Sequence, residues 1–292
     1  MANDHALHRC VTEFMLDTCR YDTKQNYCAL AACLTRCIAM TAGDGEVFSS
    51  GSCAKFYIEP MLPYVGDIDV MSCFNHCLAI PAGHTPPTEL SSHFLPNVTA
   101  YEIIDSHQPG FVYLMTSCVL MRNENGIYVV KKRLTGGHMP RFLLRPDIQD
   151  TAKLVANKCR SVAHFPDHLK QNVHGPAVQI DINWPVTKTH SRFASCNACV
   201  ATMMTAKYLF YFDYVLCMRC QCWPLQAADW PNRIRDHGIP DHTSINMVVS
   251  NGCDLVGAVH PHCRQDEWMN EHQWRLSFSR ACLLYTSPSP RD

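Results

Sequence analysis

The periodicity of the chain changes once, at Gly43-Asp44-Gly45, and that change limits the folds open to it. From His5 to Met40, apolar residues and cysteines recur at helical spacing. This predicts two amphipathic helices, or one long helix broken around Asp22 to Asn26. Beyond Val47 the pattern becomes short β-like runs separated by turn residues. Strands are expected over 68–73, 101–105, 111–115, 127–131, 178–182, 209–218, 254–259 and 274–278. Helices are expected from Pro146 to Val162, with Asp147 near the N-terminus, and from Ala227 to His237, stopped by Gly238 and Pro240. Helices first, then a mixed sheet with interspersed helices, read as one α+β or α/β domain, of which α+β is the expected class.

With 47% hydrophobic residues, the 292-residue chain can bury a substantial core. Its 25 basic and 26 acidic residues leave a net charge of -1, which argues against a uniformly basic nucleic-acid coat. The most apolar stretch, Ala198 to Leu216, contains Lys207 and Asp213, so no membrane span is expected. Met1 to Arg9 carries Asp4, His5 and His8 where a signal peptide would be apolar. A cytoplasmic protein is expected. Its eighteen cysteines are accordingly read as reduced thiols, many of them buried, and not as a disulfide framework.

Asp67-Ile68-Asp69 is the most informative short motif. In an extended strand, residues i and i+2 project from the same face, so both carboxylates serve one site. A third carboxylate from a neighbouring strand would complete a two-metal phosphoryl-transfer centre, and Asp213 is the candidate. Gly51-Ser52 offers a tight turn and a hydroxyl for phosphate oxygens. Alone, such a motif more often marks a solvated strand face.

The wider pattern is more specific. Gly51-Ser52, Glu59, Asp67-Ile-Asp-Val-Met71, His174-Gly-Pro-Ala177, the Asp213 to Pro224 block and Trp274-Arg-Leu-Ser-Phe-Ser279 occur in that order. The series resembles the male-abnormal twenty-one (Mab-like) family, which includes cyclic GMP-AMP synthase and its invertebrate relatives. Tyr101 to Ser106, Pro109-Gly110 and Gly252-Cys253 resemble the invertebrate members in particular. The resemblance spans about residues 47–281. It implies a polymerase-β-like nucleotidyltransferase core, built from a long N-terminal helix and a mixed twisted sheet. By this resemblance, residues 1–45 form the helical spine and 46–281 the core. Asp67, Asp69 and Asp213 match the positions that hold two Mg²⁺ (or Mn²⁺) ions. Gly51 and Ser52 match the phosphate-cradling turn, and Arg275, Ser277 and Ser279 the contacts to the second nucleotide. Active relatives join ATP and GTP into a cyclic dinucleotide after binding double-stranded RNA or DNA, as innate immune sensors; other members are catalytically silent scaffolds.

Three features depart from the family pattern. Cys53 to Ile58 lengthens the segment before Glu59, Pro60 replaces a glycine, and a second insertion lies between Pro176 and Asp213. The last eleven residues, Cys282 to Asp292, resemble a translated sequencing adaptor and are expected not to be native. The family's helical lobe, with its zinc-binding His/Cys cluster, is expected to lie beyond the sequence seen here.

Cys196-x-x-Cys199 and Cys217-x-x-Cys220 match a zinc-ribbon spacing, which would make the chain an interaction module. Cys217 and Cys220 fall in a predicted strand, however, where positions i and i+3 face opposite ways. Structural thiols are the expected reading. His260-Pro-His262-Cys263, with His272, reads as an exposed loop. Lys131-Lys132-Arg133 fits either a nucleic-acid contact or a charge-protected strand edge.

Overall fold

The computed structural model describes residues 45–50, 68–134, 141–163, 171–182, 210–233, 241–263 and 269–282. The predicted N-terminal helices, Gly51-Ser52, Asp67 and the Cys196/Cys199 pair lie outside these residues. Among the described residues the fold is one mixed sheet of eleven strands with few helices. The strands are β1 (Val47–Ser50), β2 (Ile68–Cys73), β3 (Cys77–Pro81), β4 (Asn97–Asp105), β5 (Phe111–Arg122) and β6 (Tyr128–Arg133). They continue with β7 (Gln171–His174), β8 (Ala177–Ile182), β9 (Phe210–Cys220), β10 (Cys253–Val256) and β11 (Gln273–Ser277). The helices are α1 (Ile148–Ala163), α2 (His242–Ser250) and the single turn α3 (Ser279–Cys282).

Six strands close a circuit. The neighbours run β9-β10-β11-β5-β4-β3, and a bridge from Ala79 back to Cys220 joins β3 to β9. Alternation then sends every second residue of each strand inward. Cys77 and Ala79, Ile103, Val112 and Leu114, Met218 and Cys220, Cys253 and Leu255, and Trp274 form one buried cluster. The other face of β3, β4 and β5 packs Leu78, Ile80, Val98, Ala100, Cys118 and Leu120 against Phe94 and Tyr128. Strand β3 is therefore buried on both faces. Such a strand reads as a short continuous apolar run, and one ending in proline gives no alternation to detect.

Most predicted elements are present, several with different ends. Strand β5 runs to Arg122, well past the expected 115, and β6 covers Tyr128–Arg133. Helix α1 begins as expected, because the Asp147 carboxylate accepts from the N–H groups of Gln149 (2.7 Å) and Asp150 (3.0 Å). The helix expected over 227–237 is not formed across its described part. Pro224 and Pro231 instead set two 3₁₀ turns, Leu225–Ala227 and Trp230–Asn232. The helix follows Pro240, where the Asp241 side chain caps the Ser244 N–H at 2.9 Å. Pro240 marked a beginning as well as a stop. Strand β6 pairs only with β5 among the described residues, so Lys131, Lys132 and Arg133 occupy an exposed edge, one of the two places expected for them.

Candidate active site

The registers place the described candidate residues on one face of the sheet. Strands β2 and β9 pair in parallel with Asp69 directly opposite Asp213. Neighbouring strands lie about 4.8 Å apart, so two carboxylates at this register share one site. Both are half-buried. Gln179 of β8 lies opposite Asp213 on the other side, and Ser50 of β1 lies opposite Asp69.

The same face can be followed along the sheet by parity. Cys217, two pleats beyond Asp213, pairs with Val256 of β10, and Val256 pairs with Arg275 of β11. Ser277 pairs with Asp254. Asp69, Asp213, Arg275 and Ser277 therefore share a face, with Arg275 exposed. Arg275 sits four residues further along the strand direction and two strands across, which is ~16 Å from Asp213 at ordinary strand spacings. The Ser277 and Ser279 hydroxyls lie 3.1 Å apart where β11 passes into α3. Between the acidic end and these residues runs an apolar patch of Met71, Val215, Phe48 and Val256.

The far end of the face holds a buried charge network. Asp254 has 0% of its surface exposed and accepts from Arg219 Nη1 (3.5 Å) and Arg280 Nε (3.3 Å). Arg219 also donates to the Cys253 carbonyl at 3.0 Å and to the Asn251 carbonyl. Arg280 donates to Glu46 Oε1 (2.6 Å) and Cys73 Sγ (3.4 Å), and lies over the Phe48 ring. Burial alone would make the Arg280 guanidinium easier to deprotonate. The Asp254 and Glu46 carboxylates outweigh it and hold its pKa above the ordinary arginine value.

Cys73 and Cys217 complete this end, opposite each other in register with their sulfurs 3.3 Å apart. Burial, then the hydrogen bond to Cys73, pushes the Cys217 thiol well up. Cys73, Cys217 and Asp254 are the one group of three metal-ligating side chains gathered among the described residues. Two guanidiniums already engage Asp254, and one also engages Cys73, so a cation entering here would meet positive charge. The hard-oxygen pair Asp69/Asp213 is the better match for Mg²⁺.

Sequence reasoning passed over this network, although its signal was present. Arg219 stands inside Leu-Cys-Met-Arg-Cys, and Asp254 inside Cys-Asp-Leu-Val. A charge within an apolar strand requires a buried partner.

The thiols of the zinc-ribbon pattern separate as the strand argument expects. Cys217 joins the apolar patch of the open face, whereas Cys220 points into the closed circuit. His260, Pro261 and His262 form the expected turn, with the His262 N–H donating to His260 Nδ1 at 3.1 Å.

The Mab-21 protein nucleotidyltransferase domain model matches residues 93–282, well over half of the sequence. The chain belongs to the Mab-21 nucleotidyltransferase family. The matched region contains Asp213, Arg275, Ser277 and Ser279, and Asp69 enters the Mab-21 domain's sheet by pairing with β9. No curated protein matches the chain. No helix among the described residues is long and apolar enough to cross a membrane.

Proposed function

We propose that this chain is a Mg²⁺-dependent nucleotidyltransferase in which Asp67, Asp69 and Asp213 hold the metal. One observation carries the reading. Two carboxylates far apart in sequence stand directly opposite each other on adjacent parallel strands, and one of them, Asp213, lies within the matched nucleotidyltransferase domain. Oxygen donors so placed suit an ion that binds one or two carboxylates together with substrate phosphates. Bound Mg²⁺ would supply Lewis-acid neutralisation of the charge that develops on the transferring phosphoryl group.

The chain's own residues position and polarise. Arg275, exposed on the same face, is a donor for a base or a phosphate, and the Ser277 and Ser279 hydroxyls are further donors to the second nucleotide. Gly51 and Ser52 follow directly on Ser50, whose register partner is Asp69, and serve the triphosphate. One of the carboxylates accepts the proton of the attacking ribose hydroxyl. Catalysis is then mainly orientation and electrostatic stabilisation. The finer reading takes ATP and GTP as substrates and a cyclic dinucleotide as product, with double-stranded nucleic acid as activator. Its support is that Arg275 and Ser277 of the Trp274 to Ser279 block lie on the same sheet face as the acid pair.

The test is incubation of the full chain with labelled ATP and GTP, Mg²⁺ and RNA or DNA duplexes, followed by separation of the products. Dinucleotide formation that requires Mg²⁺ and falls about 10³-fold in Asp213→Asn is the expected result. Undiminished turnover in Asp69→Asn or Asp213→Asn would remove the assignment. Nucleotide binding without turnover would favour a catalytically silent scaffold.

A further inference from the structure

Cys73 and Cys217 have no part in nucleotidyl transfer as proposed, and their arrangement is chemically specific. They are register partners on parallel strands, so their Cα atoms are separated by one strand spacing of about 4.8 Å. Disulfides span Cα separations of roughly 4.4–6.8 Å. The sulfurs, 3.3 Å apart, need only close to about 2.05 Å to bond. Three groups surround the Cys73 sulfur. Arg280 Nη2 donates to it at 3.4 Å, Cys217 lies at 3.3 Å, and its own S–H points to Asp254 Oδ1 at 3.7 Å. The guanidinium contact places a cation beside the sulfur where negative charge would develop during attack, and the Asp254 carboxylate accepts the hydrogen bond of the thiol. Cys217 shares the apolar cluster of Met71, Cys73 and Val256, and its sulfur contact is to Cys73. One thiol is equipped to attack and the other to resolve.

We propose that Cys73 and Cys217 are an oxidisable dithiol, in which Cys73 is oxidised first by hydrogen peroxide and Cys217 closes the disulfide. The Cys73 sulfur attacks one peroxide oxygen, the O–O bond breaks, and a sulfenic acid and one water form. The Cys217 sulfur then attacks the sulfenyl sulfur, the S–O bond breaks and a second water leaves. Two thiols lose two electrons in total, the peroxide is reduced to two waters, and both thiol protons end in water. The disulfide joins β2 to β9 four residues beyond the opposed pair Asp69/Asp213. It therefore staples the two strands that present those carboxylates, whatever reaction they serve.

The pair is covered, with Cys73 2% and Cys217 0% exposed, so oxidation proceeds through local opening. The short helix α3 carries Arg280 onto the Cys73 sulfur.

The experiment is peptide mapping of the full chain under non-reducing conditions after graded hydrogen peroxide, with reductant-treated protein as reference. A Cys73–Cys217 linked peptide, two hydrogens lighter than the free pair and lost on reduction, is the expected result. In Cys217→Ser, a dimedone adduct should accumulate on Cys73, whereas Cys73→Ser should leave Cys217 unlinked. Recovery of Cys73 and Cys217 as free thiols after the half-exposed Cys222 and Cys263 have oxidised would overturn the proposal. So would linkage of Cys220 to Cys253, the register pair inside the circuit, in place of the Cys73–Cys217 peptide. The mapping uses no activity readout, so it stands or falls independently of the nucleotidyltransferase reading.

Discussion

Strand β9 divides two regions of the molecule that solve opposite problems with the same backbone. Its even-numbered residues Met218 and Cys220 face the closed circuit, where the buried side chains are apolar or thiol and Trp274 is the largest. Its odd-numbered residues Asp213, Val215, Cys217 and Arg219 face the open side, where two carboxylates sit at one end and a buried ion network at the other. The circuit can be wholly apolar because six strands shield it and satisfy one another's backbone groups. The open face tolerates charge because one end is solvated and the other is internally paired. Substitutions should follow this division: inside the circuit they are felt as stability, on the acidic end as chemistry.

The strongest test of that division sets Trp274→Ala against Asp213→Asn. Removing a fully buried indole that also donates to the Leu143 carbonyl should cost about 3–5 kcal/mol in a denaturant titration. Asp213→Asn should leave that titration nearly unchanged while removing nucleotidyl transfer. If Asp213→Asn instead unfolds the protein, its carboxylate is structural and the two faces of β9 do not differ as argued.

Asp254 probes where the open face stops being a site. Asp254→Ala strands the Arg219 and Arg280 guanidiniums beside each other in a water-poor environment, and breaking such a buried set costs about 3–5 kcal/mol. The expected outcome is a fall in the unfolding midpoint comparable to that of Trp274→Ala. A small loss, below about 1 kcal/mol, would mean that water reaches both guanidiniums and that this end is open too.

Gly252 gives a smaller effect on the boundary itself. It turns the chain from α2 into β10 at φ +62°, and a Cβ there would lie 2.3 Å from the Cys220 carbonyl oxygen. Gly110, at φ +76°, has open space around it. Gly252→Ala should therefore destabilise by about 2–3 kcal/mol, against about 1 kcal/mol for Gly110→Ala, in paired thermal melts. Equal losses would show that the β9–β10 junction yields to accommodate a side chain.

How much of this was legible in the sequence depended on whether a signal was local. The bounds of β2 were readable because Ile68 to Cys73 alternates, and the same alternation predicted Asp67 and Asp69 on one face. The N-cap at Asp147 was readable from its position after Pro146. That β9 is the parallel neighbour of β2 is not a local property. Alternation names a face but no partner strand, so Asp213 could be put forward as the third carboxylate, but its place directly opposite Asp69 came only from the register. Strand β3 escaped because burial on both faces removes alternation, and α2 because Pro240 was read only as a stop. The Asp254 network escaped because its members, Glu46, Arg219, Asp254 and Arg280, come from four separate segments and meet only when the start of β1, β9, β10 and α3 are assembled.

The smallest predicted effect tests how dry the circuit is. Burial, with a lesser contribution from nearby Cys73, pushes the Cys77 thiol from its ordinary value of 9.0 up to about 12. Below pH 9 the thiol is protonated in both folded and unfolded chains, so its stabilising contribution is fully present. Above pH 9 the unfolded chain releases this proton while the folded chain keeps it. The folded state then binds more protons, and stability falls as pH rises, by up to about 1.4 kcal/mol per pH unit until the folded thiol itself titrates near pH 12. The Cys118 and Cys217 thiols, also pushed up by burial, add slopes of the same sign, so the informative quantity is a difference. Urea midpoints measured at intervals from pH 8 to 11 should fall less steeply in Cys77→Ala than in the parent, by about one proton's worth. Parallel slopes would mean that Cys77 ionises near its ordinary value in the folded protein. Water would then enter the circuit between β3 and β9, where a single bridge, Ala79 to Cys220, closes it.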